Sequence, residues 1–78
     1  MNKEKKLGEV IRRKRTQLGF TGKILAEKIG VARTYISKIE NAKCIPSYKV
    51  LERLEYILSM RLFELYISCK YPSREFLT

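Results

Sequence analysis

Arg33, Thr34, Ser37 and Lys38 are the four side chains in this sequence best spaced for a common chemistry. In a helix that advances 100° per residue they fall on one side. Ala32, Tyr35, Ile36 and Ile39 fall on the opposite side and can be buried. The first set consists entirely of hydrogen-bond formers, two of them cationic. Their chemistry is reversible recognition of acceptors and donors, of the kind a major groove displays to an inserted helix. An ordinary amphipathic helix with a solvated polar side has the same periodicity, so the stripe alone does not decide. The spacing of the neighbouring elements and the charge of the whole chain favour recognition.

Those elements occupy residues 21–43. A short helix is expected over 22–29 and a second over 33–40. Gly30 stands one place after the last apolar residue of the first, where a left-handed residue is expected, and residues 30–33 make the turn. Thr21 is the expected N-cap of the first of these helices. Its start, at Thr21, Gly22 and Lys23, offers N–H groups and the positive end of a helix dipole, both of which suit a phosphate.

The 78 residues make one domain with a small core. Lys and Arg outnumber Asp and Glu by 17 to 8, a net charge of +9, which favours a polyanionic partner, nucleic acid before membrane. No apolar run approaches the roughly 20 residues that span a bilayer, and no signal region follows the basic start, so a cytoplasmic protein is expected. There is no His, and the two cysteines, Cys44 and Cys69, cannot complete a zinc site, so no metal or other cofactor is expected. No paired-carboxylate constellation and no Gly-rich phosphate loop is present, and neither cysteine has a base nearby in sequence, so an enzyme is not expected. RNA binding fits the charge, but the aromatics do not form a stacking platform on a sheet. No small-molecule ligand is expected, because so short a chain leaves little room for a sensor domain.

Taken in order, residues 1–6 are polar and expected to be frayed. Leu7, Val10, Ile11 and Leu18 share a face, giving a first helix over 7–18 ended by Gly19. The basic block 12–15 reads as a solvated face plus one internal ion pair rather than a DNA-binding run: Arg12 and Arg13 point away from the apolar stripe, Lys14 lies on it, and Arg15 lies at its edge. After a loop at residues 41–43, Pro46 and Ser47 open a helix over 48–58 with Val50, Leu51, Leu54, Ile57 and Leu58 on its apolar side. A fifth helix is expected over 61–67. It is apolar almost all round, more than its own chain can cover, which points to a partner surface. Residues 68–78 are a tail, loose or packed across a dimer. The architecture expected is all-α, five helices, with a globular unit over 7–67.

The segments IRRKRTQLGFT, LAEKIGV, RTYISKIENAK, IPS and SMRLFEL, in that order and spacing, resemble the lambda repressor/Cro-like, or XRE-type, helix-turn-helix regulators over about residues 7–65. RTYIS is also similar to the recognition helix of the small controller proteins of restriction–modification systems. The resemblance implies a compact five-helix DNA-binding domain with its helix-turn-helix at helices 2 and 3. It implies base contacts from Arg33, Thr34, Ser37 and Lys38, and phosphate contacts from Thr21, Gly22, Lys23, Tyr35, Asn41 and Lys43. It further implies a structural ion pair between Arg15 and Glu40, and a homodimer formed near the C-terminal helices through Tyr56, Met60, Phe63, Tyr66 and Ile67. A sequence-specific, autoregulatory transcription regulator on a two-fold symmetric double-stranded operator follows. An antitoxin-like module that covers a protein partner and also binds its operon DNA is the alternative. Three positions depart from the family pattern: Gly22 replaces a Gln, Ala42 a Gly, and Glu55 a small Ala.

Overall fold

Leu7 and Ile11, one helical turn apart, are both essentially unexposed and belong to a core to which every other helix contributes. The computed structural model describes residues 3–70, which form five α-helices: α1 (Lys3–Gln17), α2 (Gly22–Ile29), α3 (Arg33–Glu40), α4 (Tyr48–Leu58) and α5 (Phe63–Lys70). No strand occurs among the described residues. Helix α1 packs on α3, α4 and α5, while α2 packs on α3 and α4. Leu25, Ala26 and Ile29 of α2, Ile36 and Ile39 of α3, and Leu51, Leu54 and Leu58 of α4 complete a single core. Cys44, half-buried, packs against it from the loop before α4.

The helix ends follow local rules. Thr21 Oγ1 accepts from the N–H of Ile24 at 3.1 Å, and Ser47 Oγ accepts from that of Val50 at 3.3 Å, each satisfying one orphan donor. Helix α3 closes without a glycine. The N–H of Lys43 donates to the Lys38 carbonyl at 2.7 Å and that of Ala42 to the Ile39 carbonyl at 3.2 Å, a Schellman closure that requires a left-handed residue at 42. Ala42 takes that conformation, with φ +60°, and carries the strain a glycine would avoid.

Two boundaries depart from the periodicity. Helix α1 starts at Lys3, four residues before its first apolar position, because residues 3–6 are good helix formers that continue a helix already anchored by Leu7. Helix α5 runs from Phe63 to Lys70 rather than over 61–67. Ser59, at φ +53°, turns the chain, and Leu62 rather than Arg61 supplies the first carbonyl of the helix, accepting from the N–H of Tyr66 at 2.9 Å. The folded unit therefore continues past residue 67: Cys69 is buried in the core. The part of the expected tail at 71–78 lies outside the described residues. Leu18, expected as the last apolar position of the first helix, lies just past the end of α1 and is exposed, and Ala32, placed by periodicity on the inner side of α3, is exposed as well.

Candidate nucleic-acid interface

Helix α3 is held by Ile36 and Ile39, each at most 2% exposed. That anchorage fixes its rotation, and Arg33, Thr34, Ser37 and Lys38 all emerge exposed. The start of α2 lies alongside: Thr21, Gly22, Lys23, Arg33, Ser37 and Asn41 line one cleft. Gly22 leaves room there, since a Cβ built on it would meet nothing nearer than the Arg33 side chain at 4.0 Å. Helix α3 begins at Ala32 without a side-chain cap, so the first-turn N–H groups of this helix have no side chain closing them off.

Glu40, 8% exposed, is the only buried charged group among the described residues, and two arginines of α1 meet it. Arg15 Nε donates to Glu40 Oε2 at 2.7 Å and Arg15 Nη2 to Oε1 at 3.1 Å, a bidentate pair. Arg15 Nη1 also donates to the Phe20 carbonyl at 2.8 Å, tying the α1–α2 turn to the same group. The hydrogen bond to Glu40 raises the Arg15 pKa above its ordinary value, against an opposing effect of burial. A raised value means that the pair's contribution is fully present below the ordinary arginine pKa and is lost only as pH climbs past the raised one.

Arg12 is exposed, as periodicity places it, and its side chain also reaches this group: its Nε lies 3.4 Å from Glu40 Oε1 and its Nη2 donates to Asn41 Oδ1 at 2.9 Å. The signal available in the sequence was its position three residues before Arg15, on the same side of the helix. Asn41 in turn donates through Nδ2 to the Ser37 carbonyl at 2.9 Å and to Ser37 Oγ at 3.3 Å. Its amide is occupied at both ends, so a direct phosphate contact from that side chain has no spare N–H in this conformation. Thr21 is spent on its capping bond through its oxygen and keeps a hydroxyl proton. Tyr35 is half-buried; its hydroxyl accepts from the Ser47 N–H at 3.1 Å, which ties α3 to the start of α4 and leaves its own proton to donate. Lys23, on the cleft wall, and Lys43, two residues after Asn41, are both exposed.

Gly8 is the positioning residue that pattern reading passed over. A Cβ there would sit 2.6 Å from the carbonyl oxygens of both Ile39 and Glu40, so only a residue without one lets α1 approach the end of α3 this closely. Nothing in a single sequence marks it out from a helix glycine of no consequence.

The surface assigned to self-association divides. Phe63 is 47% exposed and meets Tyr48 edge-on at 6.4 Å between ring centroids. Tyr66 is 5% exposed, so its ring belongs to the core of its own chain, 6.2 Å from that of Tyr48. Met60 and Ile67 are half-buried. Tyr56 is 84% exposed and lines a separate groove with Lys28, Ile29, Lys49 and Arg53. Glu55, read from sequence only as a departure from the family pattern, has a structural part: its Oε2 accepts from the N–H groups of Leu62 and Phe63 at 2.7 and 2.9 Å and so caps α5 from α4.

A helix-turn-helix family model matches residues 11–65, which takes in the end of α1, both helices of the cleft, α4 and the start of α5. The chain belongs to the helix-turn-helix family, in its lambda repressor-like, XRE-type branch. The chain is similar to the ImmF control region 10 kDa protein of Bacillus phage phi105, 38% identical over 58 residues, and to the HTH-type transcriptional regulator SinR of Bacillus subtilis, 37% identical over 60. The matched segments cover 74% and 76% of this chain, but only 64% and 54% of those two proteins. This helix-turn-helix chain thus spans between about half and two thirds of the length of the curated relatives it matches. Among its described residues no helix is long and apolar enough to cross a membrane.

Proposed function

We propose that this chain is a sequence-specific, double-stranded DNA-binding regulator of transcription, acting by binding without a catalytic step. The observation that carries the reading is the exposure of Arg33, Thr34, Ser37 and Lys38 together on a helix whose opposite side is locked into the core. The net charge of +9 supports it, as do the regulatory names of the relatives. Two copies of the chain, associated through the α4–α5 side with Tyr56, Met60, Phe63 and Ile67 near the contact, place two α3 helices in successive major grooves. Half-sites about 34 Å apart on a two-fold symmetric operator follow from one helical turn of DNA. Arg33 is assigned to guanine O6/N7, a contact that discriminates by roughly 1–3 kcal/mol. Thr34, Ser37 and Lys38 complete the base-facing set. Thr21, Gly22, Lys23, Tyr35 and Lys43 meet phosphates, and Asn41 takes part by holding its neighbours. Regulation through protein concentration, including at its own promoter, and a cytoplasmic, nucleoid-associated location go with this reading.

Selection of bound duplexes from a random pool is the test. A preferred, two-fold symmetric site is the expected result, and no preferred duplex even at low salt would overturn the reading. Arg33→Ala is expected to relax preference at one position per half-site. Lys43→Ala is expected to weaken all sequences equally and to flatten the salt dependence.

A further inference from the structure

The chain of hydrogen bonds from α1 to α3 gives Ser37 a direction. A guanidinium carries donors only, so the Asn41 atom 2.9 Å from Arg12 Nη2 must be its carbonyl oxygen. That fixes the amide the other way round on the far side: the Asn41 NH₂ group faces α3, where it donates to the Ser37 carbonyl and to Ser37 Oγ. Arg12 is itself steadied by Glu40, 3.4 Å from its Nε, and Glu40 by Arg15. The polarity therefore runs outward from a buried carboxylate. Ser37 Oγ receives a hydrogen bond from inside the protein, which takes up one of its two lone pairs and leaves its proton free for the exposed face of α3. Among the described residues that hydroxyl donates to no acceptor.

We infer that Arg12 and Asn41 are positioning residues that bias Ser37 toward donating, so that a base edge offering an acceptor is favoured over one offering a donor. This rests on the reading of α3 as the base-facing helix. In the major groove guanine N7 and O6, adenine N7 and thymine O4 satisfy such a donor, whereas the exocyclic amino group of cytosine does not. An unheld serine hydroxyl turns to suit either kind of partner and would discriminate little. The relay converts an indifferent side chain into a selective one, and two residues that touch no base thereby enter the specificity of the site.

The polarity can be reversed without removing the side chains. In Asn41→Asp the carboxylate still accepts from Arg12, but an oxygen replaces the amide that donated to the Ser37 carbonyl and Oγ; repelled by that carbonyl, it settles on the serine hydroxyl, whose proton turns inward while its lone pairs face the groove. Selected sites for the unmodified protein, Asn41→Asp, Ser37→Ala and Ser37→Thr are compared, with thermal melting to confirm that each is folded. The unmodified protein is expected to disfavour cytosine at one position per half-site by roughly three- to tenfold. Ser37→Ala should lose that bias and Ser37→Thr keep it. Asn41→Asp should shift the bias toward cytosine at that position alone, whatever its added negative charge does to overall affinity, with the preference governed by Arg33 as an internal reference. Selection of sites by the unmodified protein together with an unchanged ranking in Asn41→Asp overturns the relay, as does a uniform loss across all sequences in Ser37→Ala, which would make Ser37 a phosphate contact. Failure of the unmodified protein to select any duplex overturns instead the reading on which the relay rests.

Discussion

Glu40 and Glu55 each use a carboxylate to hold one helix against another, and they do so with opposite kinds of partner. Glu40, at the end of α3, is buried and meets cations: Arg15 in a bidentate pair and Arg12 beyond it. Glu55, in the middle of α4, is half-buried and meets neutral N–H groups at the start of α5. The first region fixes the recognition side of the molecule, the second the orientation of the helix assigned to self-association. A buried charge pair is costly to break because either partner left alone is a desolvated charge. A capped helix end is cheaper to lose, because the donors it frees, the N–H groups of buried Leu62 and exposed Phe63, are neutral. The α3 end is therefore the costlier of the two to disturb, which suits the proposal that α3 reads base positions while the α5 side meets a second copy.

Breaking the first region gives the largest expected effect. Arg15→Ala is expected to cost about 3–5 kcal/mol in denaturant unfolding, by stranding Glu40. The double variant Arg15→Met with Glu40→Leu should recover most of that loss, and a double as unstable as the single would show that the pair matters for more than its charges. Gly8→Ala strikes the same region through sterics. With two backbone carbonyl oxygens 2.6 Å from the new Cβ, α1 has to move away from α3, at a cost of about 1–3 kcal/mol by the same measurement. A variant as stable as the parent would mean that the two helices separate freely. In the second region Glu55→Ala should cost about 1–2 kcal/mol. It should also weaken self-association in sedimentation more than it weakens binding to a single half-site. Equal losses in both would remove the distinction between the two regions. The smallest effect is a gain: Ala42→Gly, at φ +60° in the closure after α3, should raise stability by up to about 1 kcal/mol in thermal melting.

Much of the fold was legible because it is local. The extents of α2, α3 and α4 followed from apolar spacing and from Thr21, Gly30 and Ser47 at their ends, each of which acts within one turn of its own position. The exposed four on α3 were legible for the same reason: a period of 3.6 leaves little freedom about which side faces the core once Ile36 and Ile39 are buried. The limits of α5 were not legible. Its first donors are satisfied by Glu55, seven and eight residues earlier, and no helix-start signal stands at Leu62 itself. Tyr66 belonged equally well to an outer surface or to the core in so apolar a helix, and only the packing of α5 beside Tyr48 placed it inside.

By itself, then, the sequence determined the five helices, the exposed cationic side of α3 and the excess of positive charge, because charge and helical period are properties of the chain before it folds. Tertiary structure alone decided that Gly8 admits α3, that Arg12 turns toward Glu40 and Asn41, and that Ser37 has a polarity. Each of these depends on groups at least 28 positions apart meeting at about 3 Å or, for Ser37, on such a meeting one bond further along. Helical period sets which way a side chain leaves its own axis, and only the packing of a second axis against the first sets what it finds there.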